Sequence, residues 1–276
     1  MVSKLNDFII SPEKLISKLN DKDIVLLDSR WSLDAKYSSL GDYKKSHIPT
    51  SVFFDLNDFF DNTSKLLHTL PSEEQFINAV SKIGINNKHK IIIYDANGFF
   101  NSCRVWFIFK VFGHKDVIIL DGGYKNWIKQ NLPIETKVNH LKESRYKASF
   151  KKKSLVQKYK LEEIIDNQSD RHIIVDARSE GRFLGKEPEP RKGIRKGNMK
   201  NSINIPYTKI FDNDGLLLSI DRLKKIFYIE NNLKEKKVII TCGSGITACN
   251  ILFALKILSH KENFLYDGSW AEWGKI

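Results

Sequence analysis

The sequence predicts an α/β fold built from two copies of one domain, each a parallel sheet flanked by helices. Three observations predict it. β-Branched runs such as 91–93 (III) and 238–240 (VII) suit strands buried on both faces, and each precedes an apolar run at helical spacing. Segments then recur in one order, about half a chain apart: VLLDSR (25–30) answers IIVDAR (173–178), and KSHIPTSV (45–52) answers KGNMKNSI (196–203). IIIYD (91–95) answers VIITC (238–242), and LDGGYKNW (120–127) answers LYDGSWAEW (265–273). Finally, the join between strand 238–240 and the helix after Ile246 is Cys242-Gly243-Ser244-Gly245, a loop of the kind that carries chemistry in parallel α/β folds.

The elements follow in order. Ser11-Pro12-Glu13 reads as an N-cap with proline at the first helical position, opening a helix to about Leu19. Residues 24–27 form a buried strand ending at Asp28-Ser29-Arg30. Segment 43–56 reads as a helical turn, a loop at His47-Ile48-Pro49 and a strand. Ser72 to Lys82 is a helix with a Ser-x-x-Gln capping box. Strands at 90–94 and 117–120 enclose the buried helix 103–112, and Asp121-Gly122-Gly123 turns into a short helix around Trp127. The predicted organisation is a first domain over 1–136, a basic linker over 137–157 and a second domain over 158–276.

Composition narrows the function classes. Of 276 residues, 41% are hydrophobic and 28% charged, which excludes a disordered chain, and no apolar run is long enough to span a membrane. The first residues lack the apolar core and cleavage site of a signal peptide. Three cysteines are an odd number that builds no disulfide framework, so a cytoplasmic protein is expected. The net charge of +12 invites a nucleic-acid reading. Yet residues 139–160 alone carry eight Lys or Arg against one Glu, which points to a solvated linker, and nucleic-acid binding is not expected. No metal-ligand cluster and no dinucleotide or phosphate-loop fingerprint is present, so neither metal nor organic cofactor is expected.

The second copy carries the chemistry. Two glycines let successive N–H groups of 243–247 turn toward one point, and the following helix N-terminus reinforces that positive field. Cys242 at its mouth then describes an activated sulfur nucleophile. Gly243, Ser244, Gly245, Ile246 and Thr247 would supply the cradle. The first copy has Asp95 at the position of Cys242 and ANGFFNS after it, so it cannot form the same site. Cys103 and Cys249 read as core thiols, and Asp176 with Arg178 as a structural ion pair. Arg182 and Arg191 flank a stiff Glu-Pro-Glu-Pro segment. Residue chemistry alone allows two readings of them: surface arginines paired with Glu187 and Glu189, or guanidinium forks for a planar carboxylate.

CGSGITA resembles the CG-S/T-G-V-T-A active-site loop of the two-domain rhodanese-like sulfurtransferases, in particular the mercaptopyruvate branch. The DSR, HIP…FFD, IIIYD, RVW, FGH and LDGG segments of the first copy and GRFLGKEPEPRKGIR (181–195) of the second are similar to that family's landmarks, from about Ile9 to Trp273. The resemblance implies two tandem rhodanese-like domains and a persulfide on Cys242. It implies 3-mercaptopyruvate or thiosulfate as sulfur donor, a small thiol, thioredoxin or cyanide as acceptor, and a monomer. It makes Arg182 and Arg191 the ligands of the substrate's carboxylate and keto group. It further implies that His47, in the His-Ile-Pro motif, works with Ser244, with Asp34 or Asp42 as an acidic partner. Thiosulfate enzymes commonly carry basic residues right after the cysteine, whereas Gly243 and Ser244 here are neutral, which favours mercaptopyruvate. The competing readings are a thiosulfate:cyanide sulfurtransferase or persulfide carrier, a cysteine phosphatase (opposed by Ala248 where an arginine should close the loop) and a non-catalytic interaction protein.

Overall fold

The computed structural model describes residues 5–34 and 36–276 and contains two all-parallel sheets. In the first half the elements are β1 (Ile9–Ile10), α1 (Pro12–Ile16), β2 (Ile24–Asp28), α2 (Ser39–Lys45), β3 (Val52–Phe53), α3 (Glu73–Lys82), β4 (Lys90–Tyr94), α4 (Ser102–Val111), β5 (Val117–Leu120) and α5 (Gly123–Lys129). The second half contains α6 (Lys158–Asp166), β6 (His172–Asp176), α7 (Glu180–Phe183), β7 (Ser202–Asn204), α8 (Ile220–Lys224), β8 (Lys237–Thr241), α9 (Ala248–Ile257), β9 (Asn263–Leu265) and α10 (Ser269–Trp273). The sheet orders are β1-β5-β4-β2-β3 and β7-β6-β8-β9.

The β-branched strands take interior positions, β4 between β2 and β5 and β8 between β6 and β9, where both faces need apolar cover. The capping box before α3 forms as the sequence predicts, with Ser72 and Gln75 satisfying each other's backbone N–H groups. Helix α1 stops at Ile16, short of the predicted Leu19, because the Ser17 hydroxyl donates to the Lys14 carbonyl and the chain turns.

The basic segment is a docked strap. Its lysines at 142, 147 and 151–153 are exposed, but its backbone is bound along its length. Asn139 N–H donates to Tyr43 Oη, Ser144 N–H to Ser81 O and Ser149 N–H to Phe112 O. Tyr146 is buried and stacks on His114. Leu155 then pairs parallel with Leu265 of β9, the place that β1 occupies beside β5 in the first sheet.

Helices α4 and α9 are buried on nearly every side, and they face each other across the domain boundary. Trp106 meets Phe253 edge-on at 5.0 Å and Phe99 stacks on Phe211 at 4.9 Å, within one apolar core that both halves share. That packing brings the first half's loops against the C-terminal end of β8.

Candidate active site

The residues 242–247 leave β8 and enter α9. Their outer side is clamped by α10: Trp270 and Ala271 N–H groups donate to the carbonyls of Cys242 and Gly243, both at 2.9 Å, and Cys242 N–H donates to Ser269 Oγ. Among the described residues, the N–H groups of Gly243 through Thr247 have no acceptor. They stand available to an anionic group, as the sequence implies. Gly245 has φ +78°, and a Cβ there would lie 2.7 Å from Asp267 Oδ1, so glycine is required on both backbone and steric grounds.

Cys242 is 2% exposed and lies within the field of Arg191. Burial lowers the pKa of Arg191, and neighbouring Arg182 adds to that, while Cys242 and Glu189 favour the charge. The arginine alternatives resolve differently for the two residues. Arg182 is paired with Glu189 at 2.6 Å, and Arg178 holds the other oxygen of that carboxylate at 2.7 Å. Glu187 turns instead to the Ser179 hydroxyl. The Arg182 guanidinium still lies on the loop, since a Cβ on Gly243 would meet its Nη2 at 2.9 Å. Arg191 forms no ion pair among the described residues, and its Nη2 lies 3.4 Å from His68 Nδ1. It is the guanidinium left for a ligand.

His47 does not reach the loop. Its ring is fully buried inside the first domain, stacked on Tyr43 at 3.9 Å, with Nδ1 2.6 Å from Tyr43 O and its backbone paired with Glu135. The histidine that meets Ser244 is His68, with Nδ1 3.0 Å from Ser244 Oγ. The assignment from the His-Ile-Pro motif is corrected accordingly: that motif secures a turn beneath β3, and residues 61–70 form the loop that crosses to the second domain.

His68 packs edge-on to Trp31 and against Phe60. Burial, with Arg191 and Arg104 nearby, pushes its pKa down to about 4, so the ring is neutral at neutral pH. Arg191 can only donate, so Nδ1 carries the lone pair, Nε2 carries the proton, and Ser244 O–H points at Nδ1. A cavity of about 470 Å³ borders His68 and Arg191 and is also lined by Trp31, Asp34, Tyr37 and Leu67. Of the two acidic candidates, Asp34 borders that cavity, whereas Asp42 is taken by Lys45 at 3.1 Å.

The other thiols lie in the core. Burial raises the pKa of Cys103 well above the ordinary range and that of Cys249 to about 12; Cys249 Sγ donates to Gly245 O. Asp176 and Arg178 form a buried ion pair at 2.7 Å, with the guanidinium over Trp270. Asp28, Arg30 and Tyr124 repeat that arrangement in the first domain.

His68 left no local signal in the sequence: a single histidine in a polar loop is matched to Ser244 only across 176 residues. Its one mark is conformational, a φ of +67° that non-glycine residues rarely adopt.

The Rhodanese-like domain family model matches the chain twice, at residues 11–130 and 158–276. The chain is 35% identical over 289 residues to thiosulfate/3-mercaptopyruvate sulfurtransferase 1, mitochondrial, of Arabidopsis thaliana, covering 96% of this chain and 75% of that protein. It is also 35% identical to the 3-mercaptopyruvate sulfurtransferase of Mus musculus, over 95% of this chain and 88% of the relative. Among solved structures, the 3-mercaptopyruvate sulfotransferase SseA from Escherichia coli superimposes with a TM-score of 0.86 at 30% identity, covering 95% of this chain and 98% of that one.

Proposed function

The chain belongs to the rhodanese-like family, and from that premise we propose that it is a sulfurtransferase that moves the sulfur of 3-mercaptopyruvate onto Cys242. The observation that carries this reading is Arg191, a guanidinium with no ion pair among the described residues, beside a cysteine whose loop N–H groups have no acceptor among them either. Arg191 and Arg182 receive the substrate's carboxylate and keto oxygen. The Cys242 thiolate attacks the substrate sulfur, the carbon–sulfur bond breaks, and its electron pair leaves as the pyruvate enolate. Protonation of that enolate gives pyruvate, and the sulfur remains on Cys242 as a persulfide.

Ser244 and His68 serve the proton. Ser244 accepts it from a thiol and passes its own to Nδ1, and the imidazolium so formed later returns it. A small thiol, thioredoxin or cyanide then removes the sulfur. Three free cysteines suit a reducing compartment such as the cytoplasm. One chain supplies both sides of the site, so a monomer suffices.

Thiosulfate is the second donor, favoured by the presence of both donors in the Arabidopsis relative's name. The neutral Gly243-Ser244 pair ranks it below mercaptopyruvate. Intact-mass measurement after exposure to each donor, with peptide mapping, tests the reading. Faster addition of one sulfur at Cys242 from mercaptopyruvate is expected. Preferential loading from thiosulfate reverses the donor order, and loading from neither removes the activity.

A further inference from the structure

The first domain places one more residue at the loop. Arg104, on α4, is fully buried, and its guanidinium joins four groups. Nη2 donates to His68 O at 2.7 Å. Nη1 donates to Asp267 Oδ1 at 2.7 Å and to Gly245 O at 3.3 Å, and lies 3.9 Å from Cys249 Sγ. Asp267 returns to the first domain by accepting Leu70 N–H at 2.7 Å. The Arg104–Asp267 pair therefore holds the histidine loop at the His68 carbonyl and again at Leu70, and the cysteine loop at Gly245.

Two further observations give this latch a purpose. His68 adopts φ +67°, a strained conformation for a residue with a side chain, which persists only where the surroundings over-determine it. Arg104 and Asp267 supply that determination at the carbonyl of the residue whose ring meets Ser244 and two residues further along the chain. In the second copy the third residue of α9 is Asn250, matching Arg104 as third residue of α4, and the Asn250 side chain has no hydrogen-bond partner in the described structure. The latch exists on the side that bears the cysteine.

We propose that Arg104, acting with Asp267, is a positioning residue of the sulfur-transfer site, fixing the His68–Ser244 hydrogen bond across the domain boundary. This rests on the sulfurtransferase reading. Sulfur loading of Cys242 from 3-mercaptopyruvate is measured for the wild type, Arg104→Lys, Ser244→Ala and the double variant, with melting temperatures alongside. In the wild-type background Arg104→Lys is expected to slow loading roughly 10- to 100-fold with KM little changed. In the Ser244→Ala background the same change is expected to cost less than about twofold, because the pair it positions is already gone.

A full penalty repeated in the Ser244→Ala background, or wild-type loading by Arg104→Lys, overturns this inference and leaves the activity standing. If Arg104→Lys does not fold, Asp267→Asn takes its place in the cycle, with the same two outcomes deciding. A wild-type protein that never loads overturns the sulfurtransferase reading and this inference with it.

Discussion

The loops after β4 and β8 descend from the same place in the repeat, and they differ in what fills them. In the first domain the Asp95 carboxylate accepts the N–H groups of Asn97, Asn101 and Ser102, so the cradle is closed by its own side chain. In the second domain a cysteine stands there and, among the described residues, the N–H groups are left without acceptors. The surrounding clamp is nevertheless conserved between the copies. Tyr124 and Lys125 donate to the carbonyls of Asp95 and Ala96 just as Trp270 and Ala271 do to those of Cys242 and Gly243.

Each domain also covers the other's loop. Leu70 N–H reaches Asp267, and Leu217 N–H reaches the corresponding Asp121. Over the Asp95 loop the cover is tight, since a Cβ on Gly98 would meet Gly215 O at 2.6 Å. Over the cysteine loop the cover brings His68, which also borders a cavity. One copy has been kept as a sealed support and the other as a reaction vessel.

The largest test of that contrast is Cys242→Ser, which is expected to lower sulfur transfer on the order of 10³-fold or more with the melting temperature retained. Cys103→Ser and Cys249→Ser are expected to keep catalysis, as buried thiols outside the chemistry. Next come His68→Ala and Ser244→Ala, each expected to cost roughly 10²- to 10⁴-fold in kcat, the range of a lost proton-transfer group. His47→Ala should leave kcat near wild type in whatever fraction folds, and a catalytic loss there equal to that of His68→Ala would reverse the correction. Arg191→Ala is expected to weaken kcat/KM for mercaptopyruvate by roughly 10- to 100-fold, the loss of a charge-assisted hydrogen bond.

Acid supplies a fourth test. His68 titrates at about 4 when folded and near 6.5 as an ordinary histidine. Between those values the unfolded chain binds a proton that the folded chain refuses, so His68's contribution to stability falls as pH drops from about 6.5 toward 4. Its limb in the kcat/KM profile is expected near pH 4, and an acid limb at 6.5 that disappears in His68→Ala would contradict the buried neutral ring. The smallest effect on activity belongs to the sealed copy. Asp95→Asn sets an amide N–H against backbone donors and is expected to cost about 1–3 kcal/mol of stability, with kcat unchanged.

The fold and the cysteine loop were legible because their signals are local. Strands β4 and β8, helices α4 and α9, and the Cys-Gly-Ser-Gly turn are each written in a dozen consecutive residues. What escaped depends on contacts between distant residues. His68 becomes chemical only when α4 and α9 pack and bring its loop to Ser244, whereas His47 drew attention through a motif whose work is structural. The arginine question was open for a similar reason: Arg182 and Arg191 read alike in sequence, and only Glu189's position takes one and leaves the other. The strap's lysines announced exposure correctly while concealing that its backbone is bound.

The aromatic contact between α4 and α9 also bears on how the chain comes apart. Two domains joined through a thin polar seam melt separately, but these share one apolar core in which Trp106, Phe99 and Phe253 belong to neither half alone. Heating is therefore expected to give a single cooperative transition, and the first half expressed alone would present the face of α4 to water and aggregate. Duplication here made a protein with two sheets and one unit of stability.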